Sequence, residues 1–198
     1  RGLGSVCCVL SINGLESITA RQAEMFSSVK QELYLNGIKM LGDEQAEALS
    51  HSDAELWLNG VVSITDYQAT NLGKLEKINL ASLRELTDQQ ASSLAYSLET
   101  YDNDSLKKYL KLGVTSITNK QAEAFALISH LWLDSLISLS DSQSQSLSKV
   151  PNLSLLGLES INKNQAASLS RVKTLFVSDA IRTQINTFRR LRDGISNR

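Results

Sequence analysis

The chain has 198 residues, with 20 Lys and Arg against 21 Asp and Glu and a formal net charge of −1. That balance gives no global pull toward nucleic acid or an anionic membrane, and no apolar run reaches the roughly 18 residues needed to cross a bilayer. No Gly/Ser/Pro-rich linker interrupts the chain, which argues for one continuous domain over residues 1–198.

In chain order, the first notable residues are Arg1, where Met would open an intact chain, and the adjacent pair Cys7 and Cys8. The first is what a fragment or processed chain shows. The second cannot readily bridge, because neighbouring cysteines strain a disulfide, and its spacing matches no metal site. The pair reads as small apolar residues in a first coil, with a reactive or intermolecular thiol as the alternative. Nothing requires disulfides, which points to a reducing compartment, the cytoplasm or a host cytosol.

From there a unit returns about every 22 residues. It reads Leu10-Ser-Ile12-Asn-Gly14-Leu15-Glu-Ser17-Ile18-Thr19-Ala-Arg-Gln22-Ala23, and again Leu56-Trp-Leu58-Asn-Gly60-Val61-Val-Ser63-Ile64-Thr65-Asp-Tyr-Gln68-Ala69. Self-similarity at a short fixed period indicates a solenoid, in which stacked coils bury a face that one coil cannot. The alternating L-x-L piece predicts a short strand with two residues inward and one outward. Strands are expected near residues 9–12, 32–35, 55–58, 77–80, 109–112, 130–133, 152–155 and 174–177. Two further buried aliphatics follow three residues apart, as in Leu15 and Ile18 or Val61 and Ile64.

A helix then begins in each coil. Thr19…Gln22, Thr65…Gln68, Thr87…Gln90, Thr118…Gln121 and Ser140…Gln143 fit the capping box, and Gly42…Gln45 and Asn162…Gln165 keep its spacing. Capping explains both residue type and spacing, so the recurrent glutamine is read as a cap and not as a ligand-binding ladder. Ala and Leu or Phe three apart, such as Ala69 and Leu72 or Ala122 and Phe125, face inward on these helices.

The Ile18-equivalents are spaced by 23, 23, 22, 31, 22 and 22 residues. The long step places extra residues within about 96–108, as a functional loop or a neutral surface elaboration. In the strand that follows, Leu110 and Leu112 are expected inward, since an unpaired buried Lys111 would be costly. Repeats end near residue 177, and a capping helix is expected over about 178–193. Its stripe is Ile181, Ile185, Phe188 and Leu191, with Arg182, Arg189, Arg190 and Arg192 outside. The basic cluster is read as the solubilised outside of a cap, with contact to nucleic acid or an acidic partner as the lesser alternative.

These residues resemble the leucine-rich repeat family, and best its subclass with the pattern L-x-L-x-x-C-x-x-I-T-D, as a bacterial-type variant. Thr65-Asp66, Thr87-Asp88 and Ser140-Asp141 keep the T-D step, and the resemblance covers nearly the whole chain. It departs where the family's buried Asn or Cys after the strand is aliphatic here (Leu15, Ile38, Val61, Leu83, Val114, Leu136, Leu158), so the family's ladder at that corner is expected to be missing. The resemblance implies an α/β solenoid of about eight coils, a parallel sheet on the concave side and short helices on the convex side. It also implies protein recognition rather than catalysis.

Outward strand positions define the expected binding face: Tyr34, Trp57, Asn79, Lys111, Trp132 and Phe176, with His130 flanking. Both tryptophans of the chain fall there and, with Tyr34, are expected to stay substantially exposed as interface anchors. Cross-strand packing is the plainer alternative. Asn13, Asn36 and Asn59 each precede Gly and are assigned first to the turn. His51 and His130 have no Ser, Cys or paired carboxylate at a telling spacing, and no phosphate loop, zinc-protease motif or nucleophile elbow occurs. The sequence therefore predicts a non-enzymatic module binding a protein or peptide on its concave face, without cofactor or metal. The recognition part of a larger enzyme or secreted bacterial effector, and a structural spacer, are the alternatives.

Overall fold

A computed structural model of the chain describes residues 9–96 and 108–192, and side chains through residue 190. Strands and helices alternate strictly along it. The first half holds β1 (Leu10–Ser11), α1 (Ala20–Phe26), β2 (Glu32–Tyr34), α2 (Asp43–Leu49), β3 (Glu55–Trp57), α3 (Asp66–Leu72), β4 (Lys77–Leu80) and α4 (Asp88–Ala95). The second holds β5 (Tyr109–Leu112), α5 (Asn119–Phe125), β6 (His130–Trp132), α6 (Asp141–Leu147), β7 (Asn152–Ser154), α7 (Lys163–Leu169), β8 (Thr174–Phe176) and α8 (Asp179–Arg192). The strands form one open sheet in sequence order, every neighbour parallel. The chain is thus α/β, with all eight expected strands in place. The loop expected around Glu99–Asp104 and the thiols Cys7 and Cys8 lie outside the described residues.

Alternation fixes which face is buried. Leu33, Leu56, Leu131 and Leu153 are fully buried and stand in register across the sheet. In β5, Leu110 and Leu112 are inward and Lys111 is not, because an aliphatic pair is cheaper to bury than an ammonium. Ala46, Ala69, Ala91 and Ala122 on the helices are also sealed. One continuous core runs from Ile18 to Ile185. The turn after β3 passes close to the one before it: a Cβ on Gly60 would lie 2.3 Å from Asn36 O and 2.4 Å from Ile38 O. Only glycine lets the two turns approach that closely.

The capping boxes form at Thr19, Thr65, Thr87, Thr118, Ser140 and Asn162, each side chain accepting from the Gln backbone N–H three residues on. The glutamines do more than the sequence reading gave them. In Gln68, Gln90, Gln121, Gln143 and Gln165, Oε1 accepts from the cap residue's N–H, and in these and in Gln45, Nε2 donates to a main-chain carbonyl of the preceding coil. The pairs are Gln45 to Ile18, Gln68 to Leu41, Gln90 to Ile64, Gln121 to Leu86, Gln143 to Ile117 and Gln165 to Leu139. A cap and a rung between coils are therefore one side chain.

A second set of side-chain bridges runs along the turns. The N–H of Asn36 donates to Asn13 Oδ1, that of Asn59 to Asn36 Oδ1, and that of Ala81 to Asn59 Oδ1. Asp134 does the same for Leu156. The asparagines assigned to the turn thus also join neighbouring coils, two residues before the aliphatic position where the sequence reading found no ladder.

Two basic side chains close the places where the repeat is interrupted. Lys108, just past the long step and only 3 % exposed, donates from Nζ to the carbonyls of Gly73 and Leu75 at the end of α3. Burial pushes its ammonium down to about 8, with Glu76 pulling the other way. Arg189 of α8 donates to the corresponding carbonyls after α7, Ser170 O at 3.3 Å and Val172 O at 3.0 Å. Ile181 and Ile185 of α8 are buried, and Phe188 packs on the same core.

Candidate functional site

Outward positions of the sheet carry two aromatic stacks. Parallel strands in register set equivalent side chains one strand spacing apart, about 4.8 Å, which suits stacked rings. Tyr34 and Trp57 are register partners, with ring centroids 5.1 Å apart and planes 24° from parallel. Tyr109 and His130 are partners too, 3.9 Å apart at 11°. Trp132 extends this second stack, 5.9 Å from Tyr109 and 6.1 Å from His130. The Lys77 ammonium stands 5.3 Å from the Tyr109 ring centre on the β4 side, a cation–π distance.

Between the stacks lies a pocket of about 250 Å³, lined by Trp57, Asn79, Tyr109, Lys111 and Trp132, with Glu55 and Ile78. Its polar groups are unevenly satisfied. Among the described residues, only Trp57 Nε1 and Asn79 Oδ1 are buried side-chain polar atoms without a hydrogen-bond partner, a state most native polar groups avoid. Burial raises the Glu55 carboxyl, with Lys77 lowering it and Glu32 raising it further. The His130 imidazole is lowered by burial and then by Lys77, so its ring stacks as the neutral form at neutral pH. The Tyr34 hydroxyl donates to Glu32 Oε2 at 2.7 Å, and that bond, burial and the charges of Glu32 and Glu55 raise its pKa. Charge therefore changes sign along the face, from Glu32 and Glu55 on β2 and β3 to Lys77 and Lys111 on β4 and β5.

The seven positions singled out from the sequence divide. Tyr34, Trp57, Lys111, His130 and Trp132 lie in the stacks or at the pocket between them. The rings of Tyr34, Trp57 and Trp132 are half-buried rather than open, because each leans on a neighbour one strand away. Asn79 is 4 % exposed, a correction to its place among accessible contacts: its short side chain sits between Trp57 and Lys111, its larger register partners. Phe176 is exposed on the last described strand. It stands apart from Trp132, since β7 puts the buried Ser154 between them, and that hydroxyl donates to Asp134 Oδ1.

Tyr109 was missed as a member of the site. Its signal was present, since the inward Leu110 puts Tyr109 in the same outward row as Lys77 and His130, and the strand pairing brings its ring onto His130. A larger groove, about 410 Å³, lies on the helix side between α1 and α2, lined by Glu24, Glu44, Glu47 and His51 among others. Among the described residues no group of three or more His, Cys, Asp or Glu side chains is placed to hold a metal ion. No described helix is long and apolar enough to cross a membrane. No protein-family model and no curated protein matches the sequence.

Proposed function

We propose that the chain is a leucine-rich-repeat solenoid that recognises a protein or peptide through the concave, outward face of its sheet, without catalysis of its own. The repeat pattern, the in-register parallel strands and one capped helix per coil support the family reading. The observation that carries the function is the pair of aromatic stacks on one sheet face with a partly unsatisfied pocket between them. Aromatic rings with polar handles supply most binding energy at protein interfaces, and β3 to β6 span about 14 Å at sheet spacing, well inside one partner's footprint. The mixed charge of the face favours a partner with both signs over a polyanion.

The test is selection of peptides from a displayed library on the wild-type chain, with each selected peptide then titrated against variants. Trp57→Ala and Trp132→Ala should weaken binding, at one of them by more than about 1 kcal/mol. Glu47→Ala and Ser92→Ala on the helix side should leave it unchanged. Loss of binding in Arg190→Ala, with both Trp changes tolerated, would overturn the reading and move the site to α8.

A further inference from the structure

The two ends of the core are finished differently. After β8, α8 buries Ile181 and Ile185 against the last coil. Ahead of β1, the described residues provide no such cover. Leu10 pairs with Leu33, and the same 23-residue step matches Ile12, Leu15 and Phe26 with Leu35, Ile38 and Leu49. Leu33, Leu35, Ile38 and Leu49 are fully buried, whereas Leu10, Ile12, Leu15 and Phe26 are only partly so. Four apolar positions sealed in the second coil are half-open in the first.

Polar groups at this end are left over in the same way. The six later glutamines spend Nε2 on the carbonyl before the helix cap of the preceding coil. Gln22 keeps its cap bond, Oε1 accepting from Thr19 N–H at 2.8 Å, but it is exposed and its Nε2 meets no acceptor among the described residues. The carbonyls of Tyr34, Trp57 and Asn79 each accept from the strand before, as in Ile12 N–H to Tyr34 O at 2.9 Å. Ser11 O stands in that row at the open edge of the sheet. The β1 end thus carries one complete half of the joint that the array repeats from coil to coil.

What fits must bring apolar side chains, a strand N–H and a free main-chain carbonyl together. A helix like α8 brings only the first, because its own N–H and carbonyl groups are spent along its axis. A second copy offers its own β1, which a twofold axis sets either antiparallel or with the helices on opposite sides. Its β8 end is no better: α8 follows that strand almost at once, and Val177 O, the carbonyl in the rung position, already accepts from Arg182 at 3.3 Å. We infer that the β1 end is a docking surface for one further coil of this same repeat. The strand of that coil extends the sheet beside Ser11, the carbonyl before its helix cap meets Gln22 Nε2, and its apolar side chains seal Leu10, Ile12, Leu15 and Phe26. In sequence, Leu3-Gly-Ser-Val6 lies one 23-residue step ahead of Phe26-Ser-Ser-Val29 at the end of α1, so the pattern that closes such a coil already precedes β1.

In the test, residues 55–69 are copied directly ahead of Arg1, which puts the copied Ile64 carbonyl 27 residues before Gln22, the separation of Gln68 from Leu41. A second version copies residues 32–46, and controls carry either a scrambled copy of residues 55–69 or a copy of α8. In urea unfolding, both copied coils should raise the midpoint above that of the parent and of both controls. Gln22→Leu should raise the unfolding constant of the lengthened proteins by about fivefold or more beyond its effect on the parent, since only they bury an acceptor that the variant leaves bare. Amide exchange in β1 should slow in the same proteins. A midpoint that rises no further with either coil than with the scrambled copy, or an equal cost of Gln22→Leu in parent and lengthened chains, overturns the inference. A larger gain from the α8 copy would give this end to a helix. Concentration-dependent self-association of the parent that protects β1 would give it to a second copy. Either result removes the coil as the occupant.

Discussion

Gln68→Leu should destabilise the fold more than Thr65→Ala, although both residues belong to the same helix cap. Gln68 is 6 % exposed. Its Oε1 accepts from Thr65 N–H at 3.0 Å, and its Nε2 donates to Leu41 O at 2.7 Å and Asp43 Oδ1 at 2.8 Å. Leucine fills a similar volume and removes all three bonds. Asp43 is exposed, so water replaces its lost donor at little cost. Leu41 O is sealed and forfeits its partner at about 1–3 kcal/mol, and the Thr65 N–H adds about 1 kcal/mol. The expected total is about 2–4 kcal/mol, against about 1 kcal/mol for removing the Thr65 hydroxyl. Urea unfolding of the three proteins, read by circular dichroism with unchanged slope, gives the comparison. If Gln68→Leu costs no more than Thr65→Ala, the bond to the preceding coil contributes nothing and the glutamine is only a cap.

Gly60→Ala should cost several kcal/mol by driving two coils apart, since the added methyl would sit 2.3 Å from Asn36 O, an overpacking cost of the order known for cores; a melting point within about 2 °C of wild type would refute it. Leu58→Ala, at a fully buried position, should cost about 2–5 kcal/mol in the same urea assay. Lys108 has a folded pKa of about 8 against a reference of 10.5, so below pH 8 both states hold the proton, and between these values only the unfolded state does. Unfolding free energy should therefore rise with pH across that window, by up to about 3 kcal/mol relative to Lys108→Met measured in parallel. A difference between the two proteins that is flat or falling from pH 8 to 10 contradicts this.

The strands and the inward side of each were legible because period-2 alternation leaves one choice of face, and β5 followed once an unpaired buried Lys111 was rejected. The helix starts were legible because a capping box is local, with both partners within three residues. The Gln rungs were not, since the carbonyl that Gln68 meets lies 27 residues back and carries no side-chain signature. The site was half legible for the same reason. Outward positions could be named, but whether a ring stands free depends on the strand beside it. Tyr34 therefore leans on Trp57, and Asn79 disappears between larger neighbours.

Because the rung from each of the six glutamines ends on a backbone carbonyl of the coil before it, that bond does not depend on which side chain the neighbour carries there, although side-chain bonds such as Gln68 to Asp43 add to it. Any coil that ends in the same turn offers the same acceptor. Whole units are on that account interchangeable across the joint: one can be duplicated, removed or exchanged for another, and the new seam finds its bond without a compensating change next door. A unit inserted in this way brings its own outward pair of strand side chains to the face of the sheet.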